Sequence, residues 1–233
     1  MMTTKATVEA GLEGVVATTS GLCYLDGQRG VLAYCGHDIH ELARSATFEE
    51  VCYLLWHRRL PTRAELGDLQ TELARARPLP EAVLRLMHSL PLGNMMDSVR
   101  TVVSVLAHHD PEAGDDSPAA SQRKAVRLTS QIAMVVATLG RFSSARGPVD
   151  PDPVLSHAAN FLYVLTGERP NAAAVRALNV ALILHADHEL NASTFAARVA
   201  AATLTDMHSA IVVGVATLKG SLHGGANAEV MKM

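Results

Sequence analysis

The chain has 233 residues and a formal charge of -3, with 48% hydrophobic but only 4% aromatic residues. That length supports one good-sized core, and the near-balanced charge, without a long run of one sign, excludes the electrostatic footprint of a nucleic-acid or anionic-membrane binder. A core drawn largely from Ala, Leu and Val suits packed helices better than sheets, so the expected fold class is mainly α. Small molecules and other protein chains are the expected partners. Cys23, Cys35 and Cys52 form an odd set without paired metal-type spacing and read as reduced thiols. Met1 to Lys5 carry no signal-peptide apolar core, and the most apolar stretch, Ala210 to Leu218, is shorter than the roughly 18 residues of a membrane span. A cytoplasmic, soluble chain is expected.

In chain order, glycines at 11, 14, 21, 27, 30 and 36 separate short runs such as Leu22-Cys23-Tyr24-Leu25 and Val31-Leu32-Ala33-Tyr34. The Asp26-Gly27 pair between those runs predicts a short N-terminal β-hairpin turning on the glycine. Thr47 with Glu50, and Thr62 with Glu65, each fit a capping box, which places helix starts near 48 and 63. Val51, Leu54 and Leu55, and the leucines at 66, 69 and 73, then give each helix one apolar stripe. Pro78 and Pro80 precede a short helix ending near His88, and Asn94 caps a longer one running from Met95 to about His108.

Asp110 to Ser121, rich in Asp, Pro and Gly, reads as a mobile surface loop. Helices follow from about Gln122 to Phe142, to Thr166, from Asn171 to about Ala186, and over roughly 192–204 and 207–218. Between Ala196 and Ala216 small residues occupy nearly every helical face, as in helices buried on several sides, in a core or in a homodimer interface. The chain ends inside what reads as a starting helix, Ala226 to Met233, with no stop signal.

Two constellations among the 11 histidines could carry chemistry. In His185-Ala186-Asp187-His188-Glu189-Leu190-Asn191 the histidines stand three apart, as on one helical face, beside two carboxylates. These residue types suit a structural network, an anion-binding imidazole or a metal site. In Lys219-Gly220-Ser221-Leu222-His223-Gly224-Gly225-Ala226-Asn227 an imidazole precedes two glycines that let backbone amides and a helix start approach an anion or a developing oxyanion. Two histidines in polar turns on an apolar helical scaffold fit a cleft for a carboxylate substrate and a proton transfer.

His185 to Thr194, followed after two helices by Leu222 to Asn227, resembles the two central motifs of the citrate synthase family. Gly11-Leu12-Glu13-Gly14-Val15, Tyr34-Cys35-Gly36-His37-Asp38-Ile39, Thr47 to Trp56, Leu60-Pro61-Thr62 and Asn160-Phe161-Leu162-Tyr163 look like the short bacterial type. The resemblance implies a large helical domain over 1–222, with 223–233 only the start of a small domain that is otherwise missing. It implies His223 as the catalytic group that hydrogen-bonds the thioester carbonyl of acetyl-CoA, with Leu222 and Gly224 in the thioester loop. It also implies His188 as the oxaloacetate ligand; Asn191 is expected beside it as a substrate-binding residue, and Glu189 and Asn191 are expected to set the orientation of its imidazole. No metal and no cofactor are implied, acetyl-CoA being a substrate, and a homodimer is expected. Ser221 stands where the family commonly has proline, and His37 where tyrosine is usual. The family's second catalytic histidine, its aspartate base and its carboxylate-binding arginines would all follow residue 233, which implies little activity for these residues alone.

Overall fold

A computed structural model of the chain describes residues 19–91 and 93–224. The Gly11 to Val15 motif and the helix expected from Ala226 lie outside the described residues. The expected hairpin is present: β1 (Cys23–Asp26) pairs antiparallel with β2 (Val31–Tyr34), Cys23 opposite Tyr34, and a two-residue β3 (His37–Asp38) pairs with β2. Its turn differs at Gly27. The Asp26 carboxylate accepts the Gln28 and Arg29 amides at 3.1 and 3.0 Å, which spreads the reversal over four residues and leaves Gly30, at φ +65, as the left-handed one.

Ten α-helices follow among the described residues. Asp38 caps α1 (Ile39–Ser45), and both capping boxes close reciprocally at the starts of α2 (Phe48–His57) and α3 (Arg63–Ala76). Next come α4 (Glu81–Ser89), α5 (Met95–Leu106) with a 3₁₀ turn at Ala107–His109, and the long α6 (Pro118–Ser143). The run ends with α7 (His157–Thr166), α8 (Ala172–Leu184), α9 (Ala192–Ala201) and α10 (Met207–Leu218).

The expected mobile loop is both shorter and fastened, because Ser117 caps α6 four residues ahead of Ser121. Arg127 of α6 donates to both Asp110 oxygens at 2.9 and 2.7 Å, and Arg123 pairs with Glu112. Lys124, fully buried, gives its ammonium to the Asp115 carbonyl at 2.6 Å.

One core cluster joins the hairpin to α1, α2 and the end of α8 through Tyr34, Leu42, Val51, Leu54 and Ile183. A second lies between α4, α5 and α6, with Ile211, Val212 and Val215 of α10 packed against it. Polar side chains of α8 complete the α1–α2 junction. Asn179 accepts the Phe48 amide at 2.8 Å and donates to the Ala46 carbonyl at 3.1 Å, and Arg176 donates to the Ala43 and Arg44 carbonyls, both at 2.6 Å. Against α9 the facing residues are small: a methyl added at Gly214 would meet Ala197 Cβ and the Ser193 carbonyl at 3.6 Å, ordinary van der Waals contact. Among the described residues no helix is long and apolar enough to cross a membrane.

His157 gives the fold a pH dependence. Its backbone amide donates to Glu49 Oε1 at 2.8 Å, its ring packs against Phe48, and burial, helped by the Arg77 guanidinium, pulls the imidazole down to about 4. The unfolded chain takes up that proton near pH 6.5, so stability present above this value is lost as pH falls towards the folded value. The expected loss from His157 is about 2 kcal/mol between pH 7 and pH 5. Denaturant unfolding at the two pH values checks it, and His157→Gln should flatten the profile by that amount.

Candidate active site

The first motif sits where α8 stops. His185 caps its C-terminus, with the backbone N–H and ring Nδ1 both reaching the Ala181 carbonyl, the ring contact at 2.7 Å. A carbonyl only accepts, so Nδ1 carries the proton. The helix therefore ends before Ala186, and His188 lies in the connection to α9 rather than on a shared helical face with His185. The two rings instead meet edge-on, with centroids 6.2 Å apart. Glu189 is left-handed at φ +58, a conformation that costs a non-glycine residue roughly 1 kcal/mol and has to be imposed by its surroundings. Asp187 is half-buried, and burial raises its carboxyl above the ordinary range.

Asn191 opens α9. Its side-chain oxygen accepts the Thr194 amide at 3.0 Å and the Ser193 hydroxyl at 2.8 Å. The second motif arrives from the other end of α10, where Lys219 donates to both Asp97 carboxylate oxygens at 2.7 and 2.8 Å and anchors the turn to α5. Four residues on, His223 Nε2 lies 2.9 Å from Ser193 Oγ. A chain of contacts thus runs His223, Ser193, Asn191 and joins two motifs 30 residues apart. Asn191, expected to bind substrate and to help orient His188, has its side-chain oxygen engaged on the path to His223.

Ser193 was not singled out in the sequence, although it stands inside the first motif. The only local hint is its place two residues after a cap asparagine, where a hydroxyl commonly bonds back to the cap. Leu222 is fully exposed, and Gly224 has no space for a side chain: a Cβ there would sit 2.5 Å from the Leu218 carbonyl oxygen. Among the described residues no group of three or more His, Cys, Asp or Glu side chains is placed to hold a metal ion.

The family model described as citrate synthase, C-terminal domain, matches residues 11–233. The chain belongs to the citrate synthase family. It is 46% identical over 231 residues to the citrate synthase of Haloferax volcanii, and 47% identical over 229 residues to citrate synthase 2 of Bacillus subtilis; each alignment covers 97% of this chain and 61% of the relative. A second Bacillus subtilis protein, named citrate/2-methylcitrate synthase, is 38% identical over 95% of this chain and 60% of its own length. Among solved structures, citrate synthase from Pyrobaculum aerophilum superposes with a TM-score of 0.88 at 38% identity, covering 94% of this chain and 57% of that one. A ternary complex of Thermoplasma acidophilum citrate synthase with carboxymethyl coenzyme A and oxaloacetate superposes at 0.88 with 31% identity, covering 93% and 57%. The chain spans about 60% of the length of the curated relatives it matches.

Within this citrate synthase framework the two departures fall at different depths. Ser221 is exposed in the turn before His223, whereas His37 pairs with Tyr34 in the sheet and is half-buried. Replacing Ser193 with alanine should free His223 Nε2 and change the balance of its two tautomers. Ring ¹⁵N chemical shifts of His223 check this, and unchanged shifts would show that the 2.9 Å contact does not persist in solution.

Proposed function

We propose that the chain supplies the large-domain half of a citrate synthase active site, in which His223 stabilises the enolate of acetyl-CoA and His188 holds oxaloacetate. The observation that supports this reading is the Ser193 bridge, which joins the His223 turn to Asn191, the cap of α9, three positions after His188. Oxaloacetate offers two carboxylates and a ketone, and an imidazole can meet such an anion by a charge-assisted hydrogen bond. The thioester carbonyl gains negative charge only as its methyl proton leaves, so a donor aimed at that oxygen lowers the barrier without tightening ground-state binding.

The Ser193 hydroxyl has one proton to place. When it points to Asn191 Oδ1, the neutral His223 ring carries its proton on Nε2; when it points to His223 Nε2, the proton resides on Nδ1. Only the second arrangement leaves Nδ1–H free to donate to a thioester oxygen. Asn191 tolerates the exchange because its oxygen still holds the Thr194 amide. Gly224 lets the turn close on Leu218, and the exposed Leu222 stands beside the entering thioester.

The enolate carbon then attacks the ketone of oxaloacetate, and hydrolysis of the resulting thioester gives citrate and CoA. The aspartate that takes the methyl proton, and the arginines that hold the carboxylates, come from outside these residues, so the 233-residue chain alone turns over little. Residues 1–222 form the large domain and 223–233 open the small one. The working protein is a cytoplasmic homodimer that needs neither metal nor cofactor. Propionyl-CoA is the second reading for the thioester, favoured by the relative named citrate/2-methylcitrate synthase; one methylene in the pocket changes the preference by roughly 1–3 kcal/mol.

Calorimetric titration of the chain with oxaloacetate tests the assignment. His188→Gln should raise Kd by roughly ten- to a hundredfold, the loss of one charge-assisted hydrogen bond, while His223→Gln should leave Kd within about threefold. Equal losses from both variants would sink the division of roles. Release of CoA by the 233 residues at ordinary enzyme rates, about 1 per second or faster, would overturn the claim that they are catalytically incomplete.

A further inference from the structure

Residues 185–190, which carry His188, lie between α8 and α9 with no helix or strand to shape them. One cross-strand pair of the hairpin reaches this segment from beneath. Tyr34, fully buried, donates its phenol hydrogen to the Ile183 carbonyl at 3.0 Å and accepts the Asp187 amide at 3.3 Å. Cys23, directly opposite Tyr34 in the sheet, places its thiol 3.9 Å from the Asp187 carbonyl. The backbone N–H and C=O of the residue just before His188 are therefore both met by side chains more than 150 positions earlier in the chain.

We propose that the Cys23–Tyr34 pair is a positioning device for His188, fixing the Asp187 peptide groups so that the next side chain projects into the substrate cleft. The proposal rests on the reading of His188 as the dicarboxylate ligand. Tyr34 uses its hydroxyl as donor to one side of the bend and as acceptor from the other, so the O–H spans the point where α8 gives way to the loop. Burial pushes the phenol up to about 12 and the Cys23 thiol up to about 11, so both stay protonated, and both remain donors, throughout the neutral range. The Tyr34 ring belongs to the core shared by the hairpin, α1, α2 and Ile183. Tyr34→Phe keeps that packing and removes only the hydroxyl.

The 233-residue chain is compared with its Tyr34→Phe variant by amide hydrogen exchange, by His188 ring NMR and by titration with oxaloacetate; Tyr24→Phe, at an exposed position, is the control. Tyr34→Phe should speed exchange at the Asp187 amide by about tenfold, the loss of one hydrogen bond. It should also shift the His188 ring resonances and raise Kd about tenfold, while amides of α5 and α6 exchange at their original rates. Cys23→Ala should give smaller changes of the same kind, and Cys23→Ser, which keeps a donor, should restore the parent values. Should Tyr34→Phe fail to fold, the two Cys23 variants carry the test. Unchanged Asp187 exchange overturns the proposal, as does faster exchange that leaves the His188 resonances in place. If the parent chain binds no oxaloacetate while exchange and resonances respond as stated, the positioning role stands and the dicarboxylate reading fails.

Discussion

The site depends on how α8 is made to stop. Ala172 to Leu184 is built mostly of strong helix formers, Ala, Leu and Arg, with no glycine or proline at its end, so nothing in its own chemistry obliges it to break before the motif. Termination comes from two sets of hydrogen bonds. His185 turns its own ring back onto the Ala181 carbonyl, and the Tyr34 phenol takes the Ile183 carbonyl and the Asp187 amide, groups that a longer helix would have spent internally. With these groups taken, the backbone beyond Ala186 leaves the helical path, and Glu189 is forced into the left-handed region.

Delivering the end of α8 to the hairpin requires that the helix itself be fixed, and its polar face does this. Asn179 satisfies half-buried backbone groups at the α1–α2 junction, and Arg176 adds two exposed contacts to carbonyls of the last turn of α1. Each Asn179 bond contributes only about 1 kcal/mol net, yet leaving its half-buried partners unpaired would cost more. Register is thereby transmitted along the helix: α1 and α2 hold its middle, the hairpin holds its end, and Ile183 sits in the core between them. The surface ion pairs add little by comparison, since exposed pairs such as Arg85–Glu81 are worth well under 1 kcal/mol.

How much of this could be seen in the sequence follows from the range of the forces. Capping boxes are complete within four residues, so the starts of α2 and α3 were legible to the residue. The hairpin was legible too, but its turn was misplaced because Asp26 uses its carboxylate to spread the bend, a choice that composition does not reveal. The loop after Asp110 looked free because its anchors, Arg123, Lys124 and Arg127, belong to the following helix. Within the site, the two histidine motifs were recognisable from residue type and order. The His185–His188 geometry was not, because the helix ends through a phenol 149 positions away from the carbonyl it holds. Ser193 likewise shows its partner only when α9 and α10 are seen side by side.

The two halves of the candidate site are thus held by different parts of the molecule. His188 inherits its place from the hairpin and α8, and His223 from α10, whose outgoing turn is anchored by Lys219 on Asp97 and tightened at Gly224 against Leu218. A chain of side-chain contacts runs from His223 through Ser193 to Asn191, which caps α9 three positions after His188. The first turn of α9 faces α10 at Gly214, where an added methyl would meet the Ser193 carbonyl at 3.6 Å, ordinary van der Waals contact. Close helix packing and the placement of the His223 imidazole are here one constraint: a methyl at 214 would still meet α9 at ordinary contact distance, whereas a larger side chain would press on α9 and on the Ser193 that meets His223.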